Sequence, residues 1–436
     1  MPHCTANFLQ FGRINRQHIE ANFKGGSISS DGGVLLLRKL DKFLGLSDAA
    51  ASALHDPRNP KQTTHSMRNL VAQRLYGLCS GYEDLNDHNQ LRHDPLFQTA
   101  VGSNRELASS PTFSRMETRV TREELWALNA VLVDQFVASH KAPPKELVLD
   151  VDASDIPLHG NQELKQFHGY YDTYCYLPLY VFCGQAMLAC VLRPSRIDGA
   201  KHTAAIIKLL VKKLRQHWPQ TRFILRGDSG FCRQLLINWC ERNQVDYIIG
   251  VARNKRLQRI VKPWESVLQE HYEATGEKQR AIYEFSYEAS SWRRQRRILT
   301  RLEYGSQGIN PRFVVTSLAG HPGELYDQLY CQRGEAENRI KEVQLGLFGT
   351  RASCQKFLAN WFRLMLAGLA YTLMHRFREL ALKGTELANA SSQTIRSRLL
   401  KIGASIVRNT RKVYVMLASN HPLRSVFAQA ARALPT

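Results

Sequence analysis

The stretch that decides the fold is LVLDVDASDIPLHG, residues 147–160. Leucine and valine alternate there with Asp150 and Asp152, as in a buried β-strand that carries acids toward its tip. Both carboxylates point to the same strand face, because successive side chains alternate between faces. Two acids on an apolar strand are costly unless a cation or hydrogen-bond donors compensate them. The alternative is that they only cap the following turn, where we also place Asp155.

A second acid stands in the same kind of context. Residues 222–231 read RFILRGDSGF, so Asp228 follows an apolar run and Ser229 and Gly230 form a tight exit from the strand. The letters GDSG also occur around serine nucleophiles. That chemistry needs a partnered histidine and an acid, and no second segment supplies their contexts. We therefore interpret Asp228 as a metal ligand at a strand tip.

A third acid lies in a charged segment with helical spacing. Residues 330–344 read YCQRGEAENRIKEVQ, and Tyr330, Arg333, Glu337 and Lys341 recur at steps of three and four. That spacing places them on one helix face. Arginine and lysine bind phosphate oxygens while a carboxylate holds a cation. The simpler alternative is a surface ion pair between Arg333 and Glu337.

The charge balance points to a polyanionic partner. Lys and Arg total 59 against 38 acidic residues, a net charge of +21 over 436 residues. Nucleic acid is the leading interpretation of such an excess. The nine cysteines are an odd number without a CxxC pair. This argues against a disulfide framework and a zinc ribbon, and fits a reducing cytosol.

Three regions follow from the pattern along the chain. Residues 1–140 are predicted to be a helical region for DNA binding or dimerisation, ending at the linker KAPPKE. Residues 146–350 alternate strands and helices, which predicts an α/β sheet of mixed direction with a β-rich insertion at about 254–310. Residues 351–436 are predicted to be helical and very basic. We expect the apolar run 357–375 to be a buried helix rather than a membrane span, because it contains Arg363.

Taken together, these segments resemble a known family. The pattern Y-x-x-R-x-x-x-E at Tyr330, Arg333 and Glu337, with DVDAS and RGDSGF upstream, is similar to the DDE transposases of bacterial insertion sequences that carry the YREK signature. The resemblance extends over about 146–350 and, less specifically, to the SSDGG turn in the N-terminal region. It implies a ribonuclease H-like core with a β-rich insertion between the second acid and the third.

The resemblance also implies roles for individual residues. Asp152, Asp228 and Glu337 would be the catalytic metal ligands, and Tyr330 and Arg333 would contact DNA. The signature lysine is expected seven residues after Glu337, where this chain has Gln344, so Lys341 is the candidate substitute. An all-carboxylate set favours two Mg²⁺ ions, with Mn²⁺ possible. The choice between Asp150 and Asp152 stays open at this point.

The function expected from the resemblance is cleavage at the ends of an insertion sequence and strand transfer into target DNA. The partners would be the terminal inverted repeats and the target duplex, held by a homodimer or larger synaptic complex. The location would be the bacterial cytoplasm, on the nucleoid, because the first residues lack a signal peptide. Two alternatives remain: a metal-dependent nuclease without strand transfer, and an inactive DNA-binding regulator derived from a transposase.

Overall fold

The computed structural model describes residues 8–435. The strands are β1 Leu9–Ile14, β2 Gln17–Ala21, β3 Ile28–Ser29, β4 Glu146–Ala153, β5 Ile156–Pro157, β6 Gln166–His168, β7 Thr173–Tyr176, β8 Leu179–Cys183, β9 Ala186–Val191, β10 Arg222–Gly227, β11 Val245–Val251, β12 Gln279–Tyr287, β13 Arg296–Gly305, β14 Gly308–Ile309, β15 Arg312–Thr316, β16 Ala404–Arg408 and β17 Val413–Leu417. The α-helices are α1 Val34–Leu44, α2 Leu46–Ser52, α3 Met67–Ser80, α4 His88–Leu91, α5 Pro95–Val101, α6 Ser110–Arg119, α7 Arg122–Ala138, α8 Thr203–His217, α9 Gln234–Arg242, α10 Lys255–Thr275, α11 Pro322–Glu324, α12 Gly334–Lys341, α13 Phe357–Ala381, α14 Ser392–Ile395 and α15 Arg424–Ala433.

Two compact units divide the chain. The sheet unit consists of Asp48–Asp56 and Met116–His375, and the terminal unit of Met1–Ser47, Pro57–Arg115 and Arg376–Thr436. These limits differ from the predicted boundary at the KAPPKE linker. Helix α7 belongs to the sheet unit because it packs on β9.

The sheet unit contains a nine-stranded sheet of mixed direction. Its order is β12-β13-β15-β11-β10-β4-β8-β9, with β14 on β13. β4 and β10 are parallel, as are β10 and β11, whereas β8 and β9 form an antiparallel hairpin beside β4. The predicted α/β sheet of mixed direction is confirmed. β4 lies in the interior of the sheet, as its apolar sequence predicts.

The insertion after β11 differs from the predicted β-rich segment. It begins with the 21-residue helix α10, whose Asn254 side chain caps the backbone N–H of Leu257 at 2.9 Å. Leu257, Val261 and Leu268 form its buried face. Pro263 inside this helix interrupts the periodic pattern in the sequence. The β12–β13 hairpin that follows does not form a separate layer, because it continues the main sheet through β15.

The apolar segment near residue 360 is a core helix. α13 is long and apolar enough to cross a membrane by length and composition, but 89% of its most apolar stretch is buried inside the protein. The Trp361 indole donates a hydrogen bond to the Cys190 carbonyl at 3.0 Å, so the helix packs on β9.

The terminal unit combines segments from both ends of the chain. Strand β3 pairs with β16 and thereby forms a three-stranded sheet with β17. The SSDGG turn makes a close backbone approach here, since a Cβ added to Gly33 would lie 2.3 Å from the Cα of Leu400. Strands β1, β2, β16 and β17 add short β-structure, which the sequence did not predict, to these largely helical regions. Their β-branched and aromatic alternation is short, and short strands give a weak periodic signal.

A buried histidine in the terminal unit gives a pH-dependent prediction. Burial first, and then the charge of Arg74, hold the pKa of His88 well below its usual 6.5. Below about pH 6.5 His88 is protonated in the unfolded chain but stays neutral in the folded chain. The free energy of unfolding therefore falls as the pH drops. Urea unfolding between pH 5 and 7.5 measures this slope. His88→Asn is expected to make the slope shallower, and an equal slope in both proteins would contradict the assignment.

Candidate active site

Two of the predicted acids lie side by side at the ends of neighbouring strands. β4 and β10 run parallel with Val151 opposite Gly227, so Asp152 and Asp228 each follow the last paired position. Adjacent strands are about 4.8 Å apart. Asp228 accepts a hydrogen bond from the N–H of Gly230 at 2.8 Å, and Asp152 from that of Ala153 at 2.8 Å. These bonds fix both carboxylates at the same edge of the sheet.

Asp150 lies deeper in the strand and is occupied by two arginines. Two nitrogens of the Arg226 guanidinium donate hydrogen bonds to the Asp150 carboxylate, one of them at 2.8 Å. A guanidinium nitrogen of Arg339 lies 3.4 Å from the same carboxylate. All three side chains are buried. Arg226 also donates to the carbonyl of Leu329, which ties β10 to the helical segment before Tyr330. The donors that compensate an acid on an apolar strand are thus present for Asp150.

The third acid, Glu337, is connected to Asp152 by an arginine of its own helical segment. Residues 322–346 are helical throughout, with wide π turns at Leu325–Tyr330 and Glu342–Gly346 on either side of α12. Arg333 contacts Glu337 at 3.2 Å and Asp152 at 3.7 Å. One guanidinium therefore joins the acid on the helix to the acid on the strand.

The electrostatics of this group are unfavourable for bare carboxylates. Burial first, and then the negative charge of Asp228, raise the pKa of Asp152 to about 6, and Glu337 adds to the effect. Burial lowers the pKa of Arg333, whereas the negative charges of Asp152, Asp228 and Glu337 raise it. The net result is a raised pKa for this guanidinium. The carboxylates of Asp152, Asp228 and Glu337 thus form a negatively charged group around the Arg333 guanidinium.

Among residues 8–435 there is no group of three acidic, histidine or cysteine side chains already arranged to hold a metal ion. The structure brings the three predicted acids to the same edge of the sheet, with Arg333 between the helix and the strand. The predicted ligands therefore lie as neighbours, but they do not form a closed metal cage in this conformation.

The remaining signature residues take different positions. Tyr330 is half-buried; burial first raises its pKa, and the charge of Asp228 adds to this. Lys341 is exposed at the end of α12. Gln344 lies buried in the second π turn and donates a hydrogen bond to the Asp155 carbonyl at 3.0 Å. A lysine ammonium at position 344 would be buried, at a desolvation cost that the neutral Gln344 amide avoids.

Gly250 on β11 permits the close approach of Tyr330 to the site. A Cβ at this position would lie 2.6 Å from the Tyr330 hydroxyl and 2.8 Å from the backbone nitrogen of Ser229. The backbone around Asp228 cannot yield without moving its carboxylate. Neither Gly250 nor the arginines that clamp Asp150 was identified from the sequence, because both depend on contacts between distant strands.

We predict that Gly250→Ala lowers DNA cleavage about 100-fold, because a displacement of about 1 Å in catalytic groups has that effect. The matched control is Gly305→Ala, whose new Cβ would meet only the Lys278 side chain at 3.6 Å. Cleavage rates with Mg²⁺ and thermal melts of both variants provide the test. Equal rates for the two variants would contradict the role of this contact.

The comparisons with known proteins identify the family of this chain. A family model described as transposase DDE domain group 1 matches residues 11–436. The chain belongs to this family. The match covers almost the whole of this DDE transposase, including both units. The comparison with curated proteins returned no match.

Among solved structures, this transposase is similar to piggyBac transposase in a cryo-EM structure of a synaptic complex with hairpin DNA. The TM-score is 0.39 at 11% sequence identity, covering 94% of this chain and 86% of that chain. Membership in the family establishes that the chain is a DNA transposase with nuclease and strand-transfer chemistry.

Proposed function

We propose that this transposase cuts DNA at the ends of its insertion sequence and joins them to target DNA at a site formed by Asp152, Asp228 and Glu337. The observation that carries the proposal is the arrangement around Arg333, which joins Glu337 to Asp152 while Asp228 raises the pKa of Asp152. We propose Asp152 rather than Asp150 as the ligand, because Arg226 and Arg339 already pair with the Asp150 carboxylate.

The residues fit a divalent metal of the oxygen-preferring class. Carboxylate oxygens suit Mg²⁺ and Mn²⁺ and not zinc, which prefers histidine and thiolate. Burial first, and then repulsion from Asp228, raise the pKa of Asp152 to about 6, and a cation would relieve that repulsion. Asp152, Asp228 and Glu337 would hold two such ions. When bound, the ions would activate the attacking oxygen and stabilise the leaving oxygen of a phosphodiester.

The side chains on the helical segment serve the substrate. Arg333 is half-buried beside the carboxylates, so its guanidinium can turn from them to the phosphate next to the scissile bond. The Tyr330 hydroxyl lies against Gly250 beside Asp228, where it would contact the DNA backbone. These two residues orient the DNA backbone, and the carboxylates supply the negative field that binds cations.

A cleavage assay tests the proposal. Duplexes that carry both ends of the element are incubated with Mg²⁺, with Mn²⁺ and with EDTA. The proposal expects nicks at the element boundary with either metal and none with EDTA. Nicking that persists in EDTA would overturn it.

A second assay separates the rival functions. Pre-cleaved ends are incubated with a supercoiled plasmid, and only a transposase joins the two. Cleavage without joining would favour a nuclease. DNA binding without either reaction would favour an inactive regulator, a possibility that the grouped carboxylates already argue against.

The partners in this scheme are the terminal inverted repeats and the target duplex. The net charge of +21 supports strong backbone binding, so affinity should fall steeply with salt. We propose that a homodimer or larger synaptic complex pairs the two ends, and that the protein acts on the nucleoid in the bacterial cytoplasm.

Lys341 is expected to contribute to backbone binding only. Lys341→Ala should weaken binding to all duplexes by a similar factor and reduce the slope of log affinity against log salt by about 1. Lys208→Ala, on the exposed side of α8, is the control and should leave the slope unchanged. Fluorescence anisotropy at several salt concentrations measures both slopes. An unchanged slope for Lys341→Ala would remove this residue from the DNA interface.

A further inference from the structure

A hairpin rich in aromatic residues follows closely after β4, the strand that carries Asp152. Only two residues separate the end of β4 from β5, and β5 pairs with β7, which in turn pairs with β6. The resulting three-stranded sheet is separate from the main sheet. We name residues 164–176 the aromatic hairpin. Its sequence, LKQFHGYYDTYCY, has no role in the chemistry described above.

The outer face of this hairpin is covered by rings exposed to solvent. Phe167 and Tyr174 are a cross-strand pair with ring centroids 5.5 Å apart, and about half of each side chain is exposed. The Lys165 ammonium lies over the Tyr174 ring at 4.8 Å. At the turn, Tyr170 is 85% exposed. A contiguous group of exposed aromatic rings is the kind of surface that marks an interaction site.

The ring cluster extends from the turn toward the catalytic carboxylates. Tyr170 packs edge-on against Tyr171 at 4.9 Å, and the His168 ring lies 5.1 Å from Tyr171. Burial first, and then Asp155 and Asp152, raise the pKa of Tyr171 to about 12. Tyr171 is thus the link between the exposed rings and the edge of the sheet where Asp152 lies.

The hairpin is held firmly on the sheet unit. Ser195 donates to the Gln166 carbonyl at 2.8 Å, and the backbone N–H of Arg196 donates to the Gln166 side chain at 3.0 Å. The Tyr176 hydroxyl donates to the Glu163 carbonyl at 2.5 Å. A platform fixed in this way presents its rings in one orientation, which lowers the entropic cost of binding.

We propose that the aromatic hairpin binds unpaired bases of the DNA strand at the cleavage site, stacking them on Phe167, Tyr170 and Tyr174. Aromatic faces beside a positive charge are the general means of holding single-stranded nucleic acid. The tryptophans of the insertion are engaged elsewhere, since Trp264 stacks on Tyr283 at 4.6 Å and Trp292 is buried against Arg296. The inference rests on the proposed function for the identity of the strand.

Binding to short oligo(dT) strands in EDTA tests the hairpin without any cleavage. Phe167→Ala/Tyr174→Ala should weaken this binding by about 5- to 100-fold, with duplex affinity unchanged. The double variant Phe167→Tyr/Tyr174→Phe, which keeps an aromatic ring at both positions, should bind oligo(dT) as tightly as the wild type. Tyr414→Ala is the matched control, because Tyr414 is 49% exposed on a hairpin strand and Tyr174 is 50% exposed. Its affinity should equal that of the wild type.

Photocrosslinking of the wild-type protein keeps the test valid even if the double variant folds poorly. Oligo(dT) containing 5-iodouracil should crosslink to the single tryptic peptide 166–196. Crosslinks confined to other peptides, or unchanged affinity in the folded double variant, would overturn the proposal. A change of oligomeric state with unchanged DNA binding would do the same and assign the face to a second copy. Because Asp228→Asn should bind oligo(dT) normally, failure here is distinguishable from failure of the cleavage mechanism.

Discussion

Asp152→Asn, Asp228→Asn and Glu337→Gln are each expected to lower metal-dependent DNA cleavage about 1,000-fold, because a bound metal contributes several kcal/mol of transition-state stabilisation. Affinity for duplex DNA should stay the same or rise slightly, since each change removes a negative charge near a polyanion. Single-turnover cleavage and anisotropy measure the two quantities separately.

The helix that carries Glu337 supplies a matched control. Glu335 is 60% exposed and pairs with Arg339, whereas Glu337 is 51% exposed and pairs with Arg333. Both are exposed glutamates in arginine pairs four residues apart. Glu335→Gln should therefore keep nearly full activity. Similar losses for Glu335→Gln and Glu337→Gln would show that the helix, rather than the carboxylate of Glu337, is what cleavage requires.

Asp150→Asn is expected to destabilise the fold by about 3–5 kcal/mol, the usual effect of removing one partner from a buried ion pair. The change leaves Arg226 and Arg339 buried beside a neutral amide. Glu146→Gln is the control on the same strand, because its pair with Arg222 at 3.2 Å is exposed and contributes less than about 1 kcal/mol. Urea unfolding measures both variants.

Asp152→Asn should change stability in the opposite direction. The folded protein raises the pKa of Asp152 to about 6 from 3.8, so ionisation of this group disfavours folding as the pH rises through that interval. Removing the carboxyl group should stabilise the metal-free protein at pH 7 by about 1–3 kcal/mol. Equal destabilisation by Asp150→Asn and Asp152→Asn would contradict the distinction between a structural acid and a metal-binding acid.

Much of the sheet unit was predictable from the sequence. The runs that lead to Asp152 and Asp228 are apolar enough to indicate interior strands; Asp152 lies near the end of β4, and Asp228 directly follows β10. Parallel pairing of β4 with β10 then brings the acids together. The prediction of Glu337 as the third acid depended on helical spacing within 330–341, and that segment is helical in the structure.

Other features depend on tertiary contacts that periodicity does not encode. Asp150 and Asp152 have the same local pattern, and only the arginines from β10 and α12 distinguish them. The π turn at Glu342–Gly346 buries Gln344, whereas regular helical spacing gave no sign of it. The small sheet at Asp155 was missed because its strands are two to four residues long. The aromatic run HGYYDTYCY was the available signal for it.

The proposed chemistry requires Asp152, Asp228 and Glu337 to hold two divalent cations together. Anomalous diffraction from crystals of the DNA complex soaked in Mn²⁺ tests this directly. We expect two manganese peaks that together have all three carboxylates within coordination distance, about 2.0–2.3 Å, with Arg333 turned toward a phosphate and Asp150 still paired with Arg226. A manganese peak at Asp150, or carboxylates that stay closed on Arg333 with no metal between them, would contradict the proposed chemistry.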